Sequence, residues 1–368
     1  MIDQNRLLRE FFTLVQIDSE TKQERSLANY LKTKLQRLGL QVKEDQTQHL
    51  TGCRAGNLLC TLPGTKKGVP ALYFSAHMDT VSPGTGVKPR VVDGVITSDG
   101  STILGADDKA GLAAMVEAVH VLLENNLEHG DIQFIMTVGE EAGFTGAKAL
   151  EVKEIKAGFG YVLDYEGTVG TIVTAAPALA RLKFVICGNR TATKDHAKKK
   201  RSAVQLATKA IRALGRMDGE TEAEIVSFTG GEDWIELVYQ IRSMKDEKLK
   251  TQIKHLETVF TKTAELYGGR SQVFVESLCP ALELDDHHIA VEIAKQAVYK
   301  IGRAPRLVTS RDGSDANIFC ARGLPAVNLG CGYEKIHTTE ENIAVEELYK
   351  LAELILTIMT IDTGFCED

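Results

Sequence analysis

His77 and Asp79 are the first residues of this sequence whose types and spacing could do chemistry. They follow the apolar segment ALYFSA at 71–76 and are two residues apart, so in a strand their side chains would share one face. A histidine there can bind a metal ion while the carboxylate, which does not contact the metal, keeps the imidazole ring in position. The plain alternative is a strand-end histidine beside a polar neighbour, because an isolated H-x-D pair is a weak signal.

Two pairs of adjacent acids follow along the chain. Asp107 and Asp108 stand where a loop enters a helical pattern, in LGADDKAG, and Glu140 and Glu141 follow the strand-like segment DIQFIMTV at 131–138. Aspartate is a common helix N-cap, and glutamate pairs are common in exposed loops. At the mouth of a buried strand, however, two like charges repel each other unless a cation or a proton intervenes. One glutamate could then bind a metal ion while the other reaches a water molecule.

Asp164 ends the strand-like segment YVLDYE, and His337 lies in a loop after the apolar run AVNLG. Five separate strand ends or loops thus carry a histidine or an acid, and the carboxyl ends of parallel strands form the binding edge of a sheet. Two histidines and three carboxylates suit two Zn²⁺ ions that share a bridging carboxylate. Mn²⁺ or Co²⁺ could occupy the same donors. The joint pattern predicts a site for two metal ions.

The segments that must position these residues alternate between helical and strand patterns. This rhythm predicts an α/β catalytic domain with a mainly parallel central sheet flanked by helices. The predicted helices cover 3–15, 24–38, a long helix that starts at the Asp107 segment, 286–301 and 346–361, and the predicted strands cover 58–62, 71–76, 131–138, 161–166, 305–309 and 325–329.

The middle of the chain has a different order. It predicts a strand at 181–188, a helix at about 200–214, strands at 223–228 and 235–242, a helix at 246–267 and a strand at 272–278. This βαββαβ order is typical of a small ferredoxin-like α+β sheet with two helices on one face. We therefore expect a catalytic domain at 1–178 and 280–368, with a smaller domain inserted at 179–279.

The composition excludes several classes of function. The chain has 368 residues, a net charge of -7 and no long basic run, so we expect no nucleic-acid partner. No apolar run approaches the roughly 20 residues that span a bilayer, and the charged N-terminus does not resemble a signal peptide. The seven cysteines are scattered without a C-x-x-C pair, which favours a reduced, cytoplasmic protein with free thiols.

The motifs also carry a family resemblance over essentially the whole chain. The segments HMDT (77–80), GADDKAG (105–111), GEEAG (139–143), the Asp164 strand end and IHT (336–338) resemble the zinc aminopeptidase/carboxypeptidase/aminoacylase family, and most closely its peptidase-T-like tripeptidase branch. The resemblance implies two zinc ions with the ligands His77, Asp107, Glu141, Asp164 and His337. It also implies that Asp107 bridges the metals, that Asp79 supports His77, and that Glu140 is the general base.

The implied activity is removal of the N-terminal residue of a short peptide. A hydroxide between the metals would attack the scissile carbonyl, and Glu140 would carry the proton to the leaving amine. The resemblance further implies that the inserted domain is a lid, usually with a dimerisation surface, and that the peptide bond after Asp107 is cis.

The lid departs from the family pattern. Ala192 stands where the family has a substrate-holding histidine, with His196 offset by four residues. The segment after Gly231 is shorter than usual, and Arg311 and Asp312 replace common glycines. These changes predict intact metal binding with weakened, altered or lost peptidase activity.

Two alternative functions remain open: hydrolysis of another amide, such as an N-acyl amino acid or a C-terminal residue, and a non-catalytic metal- or peptide-binding protein. The retained Glu140 argues against the second.

Overall fold

The computed structural model describes residues 1–189, 201–215 and 219–361, and the chain divides into two compact units. The first unit comprises Met1–Ala175, Glu283–Thr309 and Ser314–Asp368. The second comprises Ala176–Leu282 together with Ser310–Gly313, a short segment that the sequence pattern did not assign to it. Among the described residues, no helix is both long and apolar enough to span a membrane.

The described helices and strands follow the predicted alternation, with several short strands and three short helices added, one of which, Asp315–Ala321, lies in the predicted loop between 309 and 325. The helices are α1 Gln4–Gln16, α2 Arg25–Arg37, α3 Gln48–Thr51, α4 Ala106–Glu124, α5 Thr145–Ala149, α6 Ala203–Ala213, α7 Asp246–Leu266, α8 Ile289–Lys300, α9 Asp315–Ala321 and α10 Val345–Met359. The strands are β1 Gln41–Glu44, β2 Leu58–Leu62, β3 Leu72–His77, β4 Arg90–Val92, β5 Val95–Thr97, β6 Ile132–Thr137, β7 Phe159–Tyr165, β8 Thr171–Ala176, β9 Ala178–Cys187, β10 Thr221–Gly230, β11 Trp234–Ser243, β12 Arg270–Cys279, β13 Leu282–Glu283, β14 Arg306–Thr309, β15 Ala326–Gly330, β16 Tyr333–Glu334 and β17 Asn342–Ala344.

A nine-stranded mixed sheet forms the centre of the first unit. Its order is β1-β2-β6-β3-β7-β15-β8-β13, and β14 pairs with β8. The four strands β6, β3, β7 and β15 run parallel to one another, whereas β1 and β2 add an antiparallel edge. The predicted α/β class with a mainly parallel central sheet is confirmed. A second, antiparallel sheet has the order β16-β17-β5-β4.

The central strands are apolar because both of their faces are covered. Every residue of β3 and of β6 is buried, as expected for parallel strands between two helical layers. Helix α4 is buried nearly all round, and its small side chains allow it to lie against the sheet. This burial matters for function, since α4 carries Asp107 and Asp108 at its start.

The second unit has the predicted βαββαβ order. Strands β9 to β12 form an antiparallel sheet in the order β10-β11-β9-β12, and α6 and α7 supply its core. The rings of Phe184 on β9 and Phe260 on α7 stack with their centroids 4.1 Å apart. Gly231 donates its N–H to Trp234 O at 2.8 Å, so the shortened segment forms a tight turn between β10 and β11.

Helix α1 is tied to α4 by a buried ion pair. Arg6 Nε lies 2.6 Å from Glu117 Oε2, and Arg6 Nη2 donates to Glu117 Oε1 at 3.0 Å. The Glu117 side chain is only 1% exposed, whereas that of Arg6 is 22% exposed. Glu117 therefore depends on Arg6 for most of its charge compensation.

We expect Arg6→Ala to lower the free energy of unfolding of the first unit by about 3 kcal/mol, because it leaves the carboxylate of Glu117 buried without its partner. Urea unfolding followed by circular dichroism measures the change. Arg9→Ala, which removes an exposed arginine from the same helix, is the control and should cost less than about 0.5 kcal/mol. Equal effects of the two substitutions would contradict this reading of the ion pair.

Candidate metal centre

The predicted site residues all lie in the first unit, at one edge of the central sheet. His77 is the last residue of β3, Asp164 lies near the end of β7, and Glu140 and Glu141 follow β6. Asp107 lies at the start of α4, and His337 lies in the loop between β16 and β17. The peptide bond between Asp107 and Asp108 is cis, which confirms that prediction.

Asp107 lies at the centre of this group. Its Oδ1 is 3.0 Å from His77 Nε2, and its Oδ2 is 3.2 Å from His337 Nε2. His337 Nε2 is also 2.8 Å from Glu141 Oε1, and His77 Nε2 is 3.9 Å from Asp164 Oδ1. Each oxygen of Asp107 thus faces a different histidine, which is the arrangement that a bridging carboxylate needs.

Three triads of these side chains are close enough to hold a metal ion. His77, Asp107 and Asp164 form one, and Asp107, Glu141 and His337 form another, with their donor atoms within 4.8 Å of one another. These two triads share Asp107 and contain all five predicted ligands. The third triad joins His77 to Glu140 and Glu141. Imidazole and carboxylate donors in this number fit two zinc ions, and Mn²⁺ or Co²⁺ accept the same donor types.

The main chain fixes the orientation of His77. The ring Nδ1 lies 2.7 Å from Asp79 O, and a carbonyl can only accept, so Nδ1–H donates and Nε2 is left to face the acids. The carboxylate of Asp79 lies farther away, with Oδ1 3.7 Å from Nδ1. The sequence predicted that the Asp79 side chain supports His77. In the structure, the closer contact to the His77 ring is the main-chain carbonyl of Asp79.

The Asp79 carboxylate instead holds the glutamate pair. Oδ1 accepts from Glu140 N at 3.0 Å, and Oδ2 accepts from Glu141 N at 3.2 Å and from Thr21 Oγ1 at 3.0 Å. The chain enters this turn through Gly139, where φ is +60° and an added Cβ would lie 2.3 Å from Thr145 Oγ1. A glycine is required there on both counts.

Several residues at the site escaped the sequence analysis. Tyr333 donates its hydroxyl to Asp164 Oδ1 at 3.4 Å, and Asn328 exchanges two hydrogen bonds with the main chain of Asp164. Thr137 Oγ1 donates to Asp315 Oδ2 at 2.6 Å, while Asp315 Oδ1 has no hydrogen-bond partner among the described residues. The sequence signals were weak, because Asn328 lies in an apolar strand pattern and Tyr333 in the predicted loop after it.

Burial dominates the electrostatics of the acids. It raises the pKa of Asp164 and of Glu140 well above their ordinary values, and neighbouring carboxylates add to the effect. Burial also raises the pKa of Glu141 and brings that of Asp315 to about 6. These acids resist ionisation when no cation is near, so a bound cation would remove a large electrostatic penalty.

The histidines compensate part of this charge. Burial lowers the pKa of His77, but Asp107 and the other carboxylates outweigh it and hold that pKa well above its ordinary value. Hydrogen bonds to Asp107 and Glu141 raise the pKa of His337 to about 10. Hydrogen bonds from both histidines in turn outweigh burial and lower the pKa of Asp107.

The lid departures are described only in part. Ala192 and His196 lie outside the described residues. Within the second unit, Arg242 Nη1 donates to Arg311 O at 3.1 Å and to Asp312 Oδ1 at 3.2 Å. The two residues that replace glycines therefore belong to an ion-pair network on β11.

Most of the chain matches one known protein family. Residues 73–360 match the sequence model of Peptidase family M20/M25/M40. The chain belongs to this peptidase family. It is a metallopeptidase, as the sequence predicted.

Relatives match over nearly the full length. The chain is 48% identical to the uncharacterized protein YqjE of Bacillus subtilis (strain 168), covering 98% of this chain and 99% of that one. Among solved structures it is similar to aminopeptidase PepT from Bacillus cereus ATCC 10987, with 49% identity, 98% coverage of both chains and a TM-score of 0.89. It is also similar to a tripeptidase from Staphylococcus aureus, with 44% identity, the same coverage and a TM-score of 0.92. The predicted resemblance to peptidase-T-like enzymes is confirmed.

Because the buried acids repel one another, we expect that a divalent cation added to the metal-free protein stabilises it. At 100 times its dissociation constant, Mn²⁺ should add about 2.7 kcal/mol to the free energy of unfolding. Mn²⁺ is preferred to Zn²⁺ for this test because thiols of the unfolded chain bind it weakly. Differential scanning calorimetry with and without the cation measures the shift.

Asp107→Asn should abolish most of that stabilisation, since both triads that contain the five predicted ligands lose their shared carboxylate. Asp93→Asn removes the same charge from an exposed turn and should leave the Mn²⁺ effect intact. A similar shift in the Asp107 variant and the wild type would show that the cation binds elsewhere.

Proposed function

We propose that this chain is a di-zinc aminopeptidase that removes the N-terminal residue of short peptides. The proposal rests on the pair of triads that share Asp107. Glu140 has a carboxylate oxygen within 4.8 Å of donor atoms of His77 and Glu141, but neither of these two triads includes Glu140. The printed names of the two similar structures, an aminopeptidase and a tripeptidase, support the choice of substrate class.

In this proposal, His77 and Asp164 would hold one metal ion, Glu141 and His337 would hold the other, and Asp107 would be shared between them. Bound zinc would supply Lewis acidity toward the scissile carbonyl and toward water. Zinc is chosen because it accepts mixed imidazole and carboxylate donors, and the same residues would also hold Mn²⁺ or Co²⁺.

Glu140 is proposed as the general base. Its side chain is buried beside the ligands, and its main-chain N–H is fixed by Asp79. A carboxylate held this way can take a proton from the attacking water and return it to the leaving amine. Asp79 is a positioning residue in this account, since its carboxylate orients both glutamates rather than touching the substrate.

The second unit is proposed as the lid and as the homodimerisation surface. Its sheet ends in β10, an edge strand with exposed Ile225, Val226 and Phe228. An apolar edge strand of this kind favours pairing with another chain. The cytoplasmic location stays a prediction; the six cysteines that the structure describes form no disulfide with one another.

The zinc-loaded protein should release the N-terminal residue from tripeptides. A library of di- and tripeptides, N-acyl amino acids and peptides with blocked N-termini, analysed by mass spectrometry, tests this activity. Cleavage of blocked substrates alone would favour the other amide hydrolases, and no cleavage with two zinc ions bound would favour the non-catalytic alternative.

Glu140→Gln should lower kcat by about 100- to 10,000-fold while both metal ions remain bound, because it removes the proton acceptor and keeps the side-chain shape. Glu151→Gln, at an exposed position, is the matched control and should leave kcat unchanged. A Glu140 variant with full activity would remove Glu140 from the mechanism.

A further inference from the structure

Glu341 is a buried carboxylate that the proposed reaction does not use. Its side chain is 1% exposed, and both of its oxygens accept hydrogen bonds from main-chain N–H groups. Oε2 accepts from Gly105 N at 2.7 Å, and Oε1 accepts from Asp107 N at 2.9 Å. The carboxylate therefore holds the two ends of the three-residue turn that presents Asp107.

The loop that carries Glu341 also carries His337. They are four positions apart, and Glu341 donates its own N–H to Thr338 O at 3.1 Å, which closes the loop between them. One side chain thus joins two segments that are 234 residues apart in sequence and whose side chains meet where His337 Nε2 faces Asp107 Oδ2 at 3.2 Å.

The backbone on the His337 side of this link needs outside support. Gly105 has φ of +76°, which glycine adopts freely, but His337 has φ of +61°, a left-handed conformation that is uncommon for residues other than glycine. Such conformations persist when the surrounding structure holds them. The His337 side chain is 45% exposed, so packing around the imidazole gives the loop little restraint.

We propose that Glu341 is a positioning residue that fixes the carboxylate of Asp107 relative to the imidazole of His337. This inference rests on the proposed function, because it assumes that these two side chains hold a metal ion. The anchored pair would be pre-organised for the cation, so the proposal concerns the affinity and geometry of the site that contains His337.

A purely structural role makes a different prediction. The carboxylate of Glu341 lies at the N-terminal end of α4, where a negative charge stabilises a helix. If that were its whole contribution, its loss would destabilise the metal-free protein but leave the affinity for metal ions unchanged. Metal affinity and coordination geometry therefore separate the two roles.

The test compares Glu341→Gln with the wild type and with Glu340→Gln, which removes the same charge from an exposed neighbour. Metal affinity is measured by chelator competition, and coordination geometry by the visible absorption of bound Co²⁺. Glutamine keeps the shape of the side chain but turns an amide NH₂ toward one of the two N–H donors. We expect one metal ion to bind 10- to 100-fold more weakly, with an altered Co²⁺ spectrum, while Glu340→Gln matches the wild type.

The outcomes distinguish this inference from the proposed function. A wild type that binds fewer than two metal ions would refute the proposed function itself. A wild type with two ions, together with a Glu341→Gln variant of equal affinity and unchanged spectrum, would overturn only the positioning role. If Glu341→Gln does not fold, Glu341→Asp provides the measurement. Aspartate keeps the charge but cannot reach both N–H groups, so one metal ion should again bind more weakly than in the wild type. Equal affinity would overturn the inference.

Discussion

The mutual repulsion of buried carboxylates at one edge of the central sheet is the constraint on which the rest of the structure depends. Asp107, Glu140, Glu141 and Asp164 are gathered around His77 and His337 by three different segments. Two imidazoles offset part of their charge, and burial disfavours the ionised form of most of these acids. Bound cations would remove most of the remaining repulsion.

The scaffold meets this constraint with hydrogen bonds from outside the cluster. Asn328 forms hydrogen bonds with the main chain of Asp164, and the carbonyl of Asp79 accepts one from the ring of His77. Glu341 accepts a hydrogen bond from the main-chain N–H of Asp107. These contacts fix the positions of the donor atoms without using the donor atoms themselves. The parallel strands and α4 supply the rigid platform, because they are buried on nearly every side.

The same contacts explain how far the sequence could predict the structure. His77, Glu140 and Asp164 could be placed because apolar strand patterns end at them, and parallel strands end on one edge of a sheet. The bounds of the main helices and strands were also close, because burial on one or both faces leaves a periodic pattern. Short strands such as β4 and β16, with two or three residues each, leave no such pattern.

Contacts between distant segments could not be read from local patterns. Glu341 stands in the polar run HTTEE, which predicts an exposed loop, and its burial depends on Gly105 more than 200 residues earlier. Asp315 follows Ser314 in the capping box of α9, a short helix that the sequence did not predict. Asp79 was placed correctly beside His77, but only the folded chain shows that its carboxylate turns toward Glu140 and Glu141.

The central claim is that Asp107 lies between two metal ions. Anomalous scattering from crystals of the zinc-loaded protein, recorded on both sides of the zinc absorption edge, tests it most directly. The account predicts two peaks that flank the Asp107 carboxylate, one beside His77 and Asp164 and the other beside Glu141 and His337. A single peak, or two peaks that do not share Asp107, would contradict it.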